Sequence, residues 1–406
     1  MKVVEVASKT CGQSVNLGAY VVADFKLATG EVMPLVVRRY TRSPETYVLR
    51  YVIVAFRTPG ASPATIRNVC QGIALGLSFL EDRKIDLLER LASGLFLSRD
   101  ELASYANRCL SRTDSEGAVV TQYAKRRFLD FTNYLLWRLE AVVHRAKRED
   151  RSYLNDQRKA FEARIKTQCP KGNAGAQQND RLGLSIPQRD LLLEVSDPKS
   201  PRNPFPKKLR LRNHAVVLLH FNHGLRAGEA AGLYRSDYKN LETPAQLDIH
   251  VRQHNPDDRR QNPARQKTLP RLIEVSDDTE LALNKWLDQR ADRSQFPEAA
   301  KCRYLFTNKN GRELSLRAAM GIFERLREIF PELGPLASHV LRHDMNERWV
   351  EAGEELGWDA SEALEDQRYL NGWSENSNMP SVYSKSAIRK RANRKITDLQ
   401  RKSIRK

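Results

Sequence analysis

Residues 338–349 read SHVLRHDMNERW, and within that stretch two histidines and an arginine, His339, His343 and Arg342, crowd together. On a helix, positions i, i+3 and i+4 share one face, so the three side chains are predicted to address one small region. That region is a cationic pocket, a metal site or a plain polar surface. The H-x-x-x-H spacing is that of zinc metalloproteases, which need a glutamate beside the first histidine as general base. Val340 stands there instead, so a hydrolytic zinc centre is not expected. The rest of the chain has to decide between the other two.

At 406 residues the chain is long enough for two domains, and 40% hydrophobic residues supply an ordinary core. Lys and Arg number 68 against 50 acidic residues, a formal charge of +18. Such an excess favours a polyanionic partner, nucleic acid first, over a merely solvated surface. The five cysteines, at 11, 70, 109, 169 and 302, form no C-x-x-C pair, which argues against a zinc ribbon or a disulfide framework. The opening MKVVEVASKTCGQ carries Glu5 inside its apolar run, so no signal peptide is expected. The longest apolar runs, YVIVAF and AVVLLHF, are too short to span a membrane. A soluble, cytoplasmic protein is the expectation.

Strand-like pieces lie around VVADFKLATGEVMPLVV, and residues 1–55 receive no assigned role. A helix is predicted over ASPATIRNVCQGIALGLSFLEDR, with Ser62 as N-cap, Pro63 at the first position, and Ile66, Val69, Ile73, Leu77 and Leu80 at helical spacing. Short helices follow at Leu87–Leu91 and at ELASYANRCL. A long helical stretch starts near Val120, striped by Tyr123, Phe128, Phe131, Leu135, Leu139 and Val142. Residues 56–175 therefore read as a helical domain. The polar, glycine-bearing QCPKGNAGAQQND, 168 to 180, is the expected linker. Beyond it, residues 185–406 read as helical with a small inserted sheet. QLDIHVRQ alternates Leu247, Ile249 and Val251 against polar neighbours, and KTLPRLIEVS is a second strand candidate.

Two further stretches carry chemistry. In FNHGLRAGEAAGL, Gly224 ends one helix and Arg226 opens the next, so a guanidinium is aimed from a positively polarised helix start. Glu229, three residues on, is placed to hold it. In YLNGWSENSNMPSVYSKSAIRKRANRK, Tyr383 follows the Gly372–Trp373 pair by ten residues and precedes a basic tail. Only Tyr369 and Tyr383 remain after Arg342. Each stretch alone reads as something ordinary: a helical corner with a surface arginine, a polar helix face, an exposed tyrosine.

Taken in order, the set resembles the tyrosine recombinase, or phage integrase, family over roughly residues 185 to 395. GLRAGE resembles its first arginine box, SHVLRH its H-x-x-R box, NGWS its Gly-His/Trp position, and Tyr383 its nucleophile. QKTLPRLIEVS resembles the hairpin that carries the family lysine. Lys267 fits that place best, while Arg259, Arg260 and Arg265 share the loop. Tryptophan stands at 373 where histidine is commoner, GEELGWDASEALEDQ reads as an insertion, and the step from Trp373 to Tyr383 is about one residue long for the family.

The resemblance implies a mainly α fold with a small antiparallel sheet in the catalytic domain, preceded by a helical core-binding domain that clamps DNA. It also implies site-specific recombination through a 3′-phosphotyrosine, serving integration or excision of a mobile element, without metal, cofactor or ATP. Arg226 and Arg342 would stabilise charge on the scissile phosphate with bidentate donors. His339 would handle the tyrosine proton, Lys267 would protonate the leaving 5′-oxygen, Trp373 would pack the phosphate pocket, and Tyr383 would attack. His343 either lines the pocket or supports the fold. The implied partners are double-stranded DNA and further copies of the chain in a synaptic multimer, a tetramer, in a bacterial or phage setting at the nucleoid. A type IB topoisomerase-like enzyme and a non-catalytic sequence-specific DNA-binding protein are the alternatives.

Overall fold

In the computed structural model the chain forms two compact units, Met1–Ala176 and Gln177–Lys406. The structure describes residues 4–5, 18–28, 31–111, 121–171, 183–250, 252, 260, 268–377, 379–380, 395–397 and 399–400.

The first unit opens on an antiparallel sheet, β1 (Val4–Glu5), β2 (Tyr20–Lys26) and β3 (Val32–Arg38), in that spatial order. The strand-like pieces are thus a hairpin, registered from Tyr20 opposite Arg38 to Lys26 opposite Val32. Six α-helices follow among the described residues, the first and third of them short: α1 (Thr46–Val52), α2 (Pro63–Asp82), α3 (Leu87–Ser93), α4 (Arg99–Leu110), α5 (Thr121–Arg145) and α6 (Arg148–Gln168). Helix α2 begins as its sequence dictates, with Ser62 Oγ accepting the Thr65 N–H at 3.2 Å and Pro63 in the first turn. Such a cap contributes about 1 kcal/mol.

Met33, Val36, Val48 and Tyr51 share one core with Ile66, Ile73, Phe128 and Phe131, so the sheet and α1 are built into the helical unit. Helices α2 and α5 approach closely because of Gly76: a Cβ there would sit 2.1 Å from Phe131 Cγ. The stripe on α5 is buried at Phe128, Phe131, Leu135 and Leu139, whereas Tyr123 is exposed and lies under the Arg127 guanidinium at 4.2 Å. The long helical stretch breaks after Arg145, where Arg151 Nε donates to the Ala146 carbonyl at 3.0 Å.

The second unit contains α7 (Ile186–Ser196), α8 (Lys207–His223), α9 (Ala227–Gly232), β4 (Tyr238–Lys239), β5 (Gln246–Ile249), β6 (Arg271–Glu274), α10 (Asp277–Ala291), α11 (Leu316–Ile329), α12 (Ser338–Leu356) and α13 (Ala360–Asn371). The strands form an antiparallel sheet in the order β4-β5-β6, with Leu247 opposite Ile273. Period-two alternation holds: Leu247, Ile249 and Ile273 are buried, and their neighbours are not. Val251 lies outside the described residues. Helix α8 runs through the middle, packed on α10 and α12, and Ala215–Phe221 is buried on every side.

The chain is mainly helical with small antiparallel sheets, as expected, and the first unit carries a sheet of its own. No helix among the described residues is long and apolar enough to cross a membrane. The stretch read as an insertion extends α12, turns at Gly357, and starts α13 with Asp359 as N-cap. Trp358 packs against Trp349 with ring centroids 4.8 Å apart and the rings tilted by 54°, so the turn is held on α12.

Candidate active site

Three elements from distant parts of the chain meet at the C-terminal end of α13. Helix α8 stops at Gly224, which adopts the left-handed conformation at φ 58°, and Arg226 becomes the N-cap of α9. The Arg226 N–H donates to Glu229 Oε2 at 2.9 Å, as the spacing predicts. Its side chain turns toward α13, where Nη1 donates to the Asn371 carbonyl at 3.3 Å and lies 3.5 Å from Glu229 Oε1. A third of that side chain, 34%, remains exposed, so an outside anion can reach it.

Arg342 sits in the second turn of α12 and is buried. Its Nη1 donates to the Gly224 carbonyl at 2.7 Å and its Nη2 to the Asn371 carbonyl at 3.0 Å. The guanidinium also lies over the Trp373 ring, 5.5 Å from its centroid. Trp373 is buried, with its backbone N–H on the Arg368 carbonyl at 3.0 Å. Arg226, Arg342 and Trp373 are therefore brought together. His339 is exposed in the first turn of α12, one turn ahead of Arg342, and His343 is half-buried. Lys267 and Tyr383 lie outside the described residues.

Beneath the arginines is a charged layer that the sequence reading only half anticipated. Glu229 is wholly buried, and its main counterion is Arg271 at the start of β6, with Nη2 to Oε2 at 3.0 Å. Thr268 Oγ1 donates to Glu229 Oε1 as well. Burial alone pushes the Glu229 carboxyl up, but the Arg271 guanidinium and these hydrogen bonds outweigh it and hold the pKa down at about 2. Arg271 also donates from Nε to the Leu370 carbonyl at 2.8 Å, so β6 is tied to the end of α13. Gly372 completes the tie at φ 60°: its carbonyl accepts the Leu269 N–H at 3.0 Å. A Cβ on Gly372 would meet Arg271 Nη1 and Thr268 Cβ at 2.8 Å and the Leu269 carbonyl at 2.9 Å.

Of the arginines in the loop before β6, Arg260 is buried, donating from Nη1 to the Ala231 and Leu314 carbonyls at 2.7 and 3.1 Å. It is a structural cation. Arg259 and Arg265 lie outside the described residues. Tyr369, the other late tyrosine, is engaged elsewhere. Its hydroxyl donates to the Leu272 carbonyl at 2.9 Å and accepts the Leu272 N–H at 3.3 Å.

The rest of the DMNER run is structural, which periodicity alone does not reveal. Asp344 is buried and binds Arg189 Nε at 2.8 Å, Arg348 Nε at 3.0 Å and the Leu184 N–H at 2.9 Å. Arg348 also donates to the Phe221 carbonyl, which anchors α12 to α8. Among the described residues no group of three or more His, Cys, Asp or Glu side chains could hold a metal ion. The arrangement instead concentrates guanidiniums around one polar spot at the end of a helix, a setting for an oxyanion.

Residues 191–376 match the model of the phage integrase family. No curated protein matches the chain in sequence. Among solved structures, the XerH site-specific recombinase bound to palindromic difH substrate, a post-cleavage complex, aligns with a TM-score of 0.52 at 16% identity, covering 87% of this chain and 85% of XerH. The XerH pre-cleavage complex with difH aligns with a TM-score of 0.50 at 16% identity, covering 85% of this chain and 83% of that one. At this identity the likeness is one of fold. The second unit of this chain is built on a domain of the phage integrase family, the tyrosine recombinases.

Proposed function

We propose that the chain is a site-specific DNA recombinase that cuts and rejoins double-stranded DNA through a 3′-phosphotyrosine at Tyr383. The observation that carries this reading is the convergence of Arg226 and Arg342 on the single carbonyl of Asn371. Two planar cations so held match the two non-bridging oxygens of a phosphodiester and need no reorganisation as charge builds.

In this scheme the Tyr383 oxygen bonds to phosphorus while the bond from phosphorus to the 5′-oxygen breaks. His339, exposed at the start of α12, takes the phenolic proton. Lys267 gives a proton to the departing 5′-oxygen. It is the residue next to Thr268, whose hydroxyl bonds Glu229. Trp373 backs Arg342, and His343, half-buried, supports the helix. The exchange conserves the phosphodiester, so rejoining by a 5′-hydroxyl needs no ATP.

The first unit, with its capped helices, acts as the DNA clamp, and several copies assemble on two duplexes as a synaptic tetramer. Residues 384–406, with ten Lys or Arg against Asp398, add phosphate contacts. The nucleoid of a bacterial cell is the expected setting. Neither the topoisomerase reading nor the non-catalytic one gains from any feature of the site.

The test is incubation with duplex DNA flanking the element that encodes the chain. A covalent protein–DNA adduct is expected, resistant to denaturant, absent in Tyr383→Phe and indifferent to EDTA. An adduct formed equally well by Tyr383→Phe would remove Tyr383 as nucleophile.

A further inference from the structure

Behind the two arginines lies a group of carboxamides that the scheme above does not use. Asn346, Gln367 and Asn371 are all buried, the two asparagines completely. Asn346 and Asn371 face each other in a reciprocal pair: Asn371 Nδ2 donates to Asn346 Oδ1 at 2.8 Å, and Asn346 Nδ2 to Asn371 Oδ1 at 3.1 Å. The outer hydrogen bonds go to main chain. Asn346 Nδ2 donates to the Arg342 carbonyl at 2.8 Å, and Asn371 Nδ2 to the Gln367 carbonyl at 2.8 Å. Gln367 Nε2 closes the group on Asn346 Oδ1 at 2.9 Å.

A buried amide must be hydrogen-bonded, and a satisfied pair contributes little more to stability than well-packed apolar side chains of the same shape. What amides add is direction. Here they fasten the backbone of α12 at the Arg342 turn to the last residue of α13. That last residue supplies the carbonyl which Arg226 and Arg342 share. It is one of the terminal carbonyls a helix leaves without an internal donor, at the negative end of its dipole. The amides therefore fix both the arginine that donates and the acceptor that orients it.

We infer that Asn346, Asn371 and Gln367 form a positioning network for the recombinase site, setting the angle between the Arg226 and Arg342 guanidiniums through the Asn371 carbonyl. This rests on the strand-transfer reading, and its role is to hold the arginines rather than to touch DNA. A displacement of about 1 Å in a catalytic group costs on the order of 10²-fold in rate, so loosening the acceptor should act on the chemical step.

The experiment measures three quantities on the full chain: the single-turnover rate of covalent adduct formation at saturating protein, the DNA affinity, and the thermal midpoint. Asn346→Ala is expected to slow adduct formation on the order of tenfold or more with affinity unchanged. The double variant N346A/N371L, which replaces the amide pair with apolar packing, should regain thermal stability but not rate. Gln367→Met, which removes one hydrogen bond, should give a smaller loss in the same direction, and it serves if Asn346→Ala does not fold. In an Arg226→Lys background, Asn346→Ala should add less than it does alone, because both changes act on one geometry. A wild-type rate in N346A/N371L, or rate losses that follow thermal stability alone, would overturn the inference while leaving the recombinase reading intact. Absence of any adduct from the wild-type chain would remove both.

Discussion

Arg226 and Arg342, on different helices, donate to the same acceptor: the Asn371 carbonyl receives Nη1 of the first at 3.3 Å and Nη2 of the second at 3.0 Å. The two differ in burial. Arg226 is a third exposed, whereas Arg342 is buried and also holds the Gly224 carbonyl. Arg226→Ala and Arg342→Ala should each slow adduct formation on the order of 10²-fold or more. Only Arg342→Ala should also lower the thermal midpoint markedly. Rate assays paired with thermal melts check this, and equal losses of stability would contradict the assignment.

Tyr369 is the natural rival to Tyr383, but its hydroxyl is spent on both main-chain groups of Leu272. Tyr369→Phe should therefore keep full adduct formation and lose no more than about 1 kcal/mol of stability. An adduct lost in Tyr369→Phe and kept in Tyr383→Phe would reverse the two roles.

Gly372→Ala combines a left-handed backbone with a collision against Arg271, Thr268 and the Leu269 carbonyl. The left-handed backbone alone costs an alanine about 1–2 kcal/mol, and all three obstacles are buried side chains or main chain. A urea midpoint should report a loss above about 2 kcal/mol. A near-neutral result would mean that the contact between β6 and the α13 end yields easily.

Glu229 has its pKa held at about 2, below the 4.5 of the unfolded chain. The folded form thus binds its proton less readily. The stability it contributes is full above pH 4.5 and is lost as pH falls through about 2. Glu229→Gln leaves Arg271 buried without its counterion, and breaking such a pair costs about 3–5 kcal/mol at neutral pH. That variant should also show a flatter stability profile between pH 4.5 and 2, and an unchanged profile would assign the acid sensitivity elsewhere.

Two histidines of α8 act in a higher window. Burial pushes His220 down to about 4, and burial together with the nearby Arg348 charge does the same to His223. Their ordinary value is 6.5, so the unfolded chain takes up protons that the folded chain refuses. Stability from this source is full above pH 6.5 and declines as pH falls toward 4. His220 donates Nδ1–H to the Val216 carbonyl at 2.8 Å and meets Phe323 edge-on, so His220→Phe suits the site sterically. Denaturant midpoints between pH 7 and 4 should decline less steeply in that variant; an equal slope would count against His220.

Much of this was legible in the sequence because local rules governed it. The Ser62–Pro63 start of α2, the Gly224 stop of α8 and the alternation of β5 each follow from one short-range preference. Arg226, Arg342 and Trp373 were legible as an ordered set, and they do meet. The partners that hold them were not. Arg271, Asn346, Gln367 and Asn371 sit in stretches whose local pattern carries no sign of burial. Each is buried only because segments far apart in sequence close over it, and no periodicity marks that. Tyr123 went the other way: it fits the α5 stripe, yet tertiary packing leaves it exposed beneath Arg127.

The acceptor shared by the two arginines is a main-chain atom, and that sets what mutation can do to it. Any side chain at position 371 comes with a carbonyl, so point substitution can disturb its aim but never delete it. Chain length is another matter. One residue gained or lost within α13 would turn its end by about 100° and shift it by about 1.5 Å, carrying the carbonyl away from both donors. The segment from Asp359 to Gly372 should accordingly accept changes of residue and reject changes of length. A scan of single-codon insertions and deletions would expose that boundary as a sharp loss of recombination.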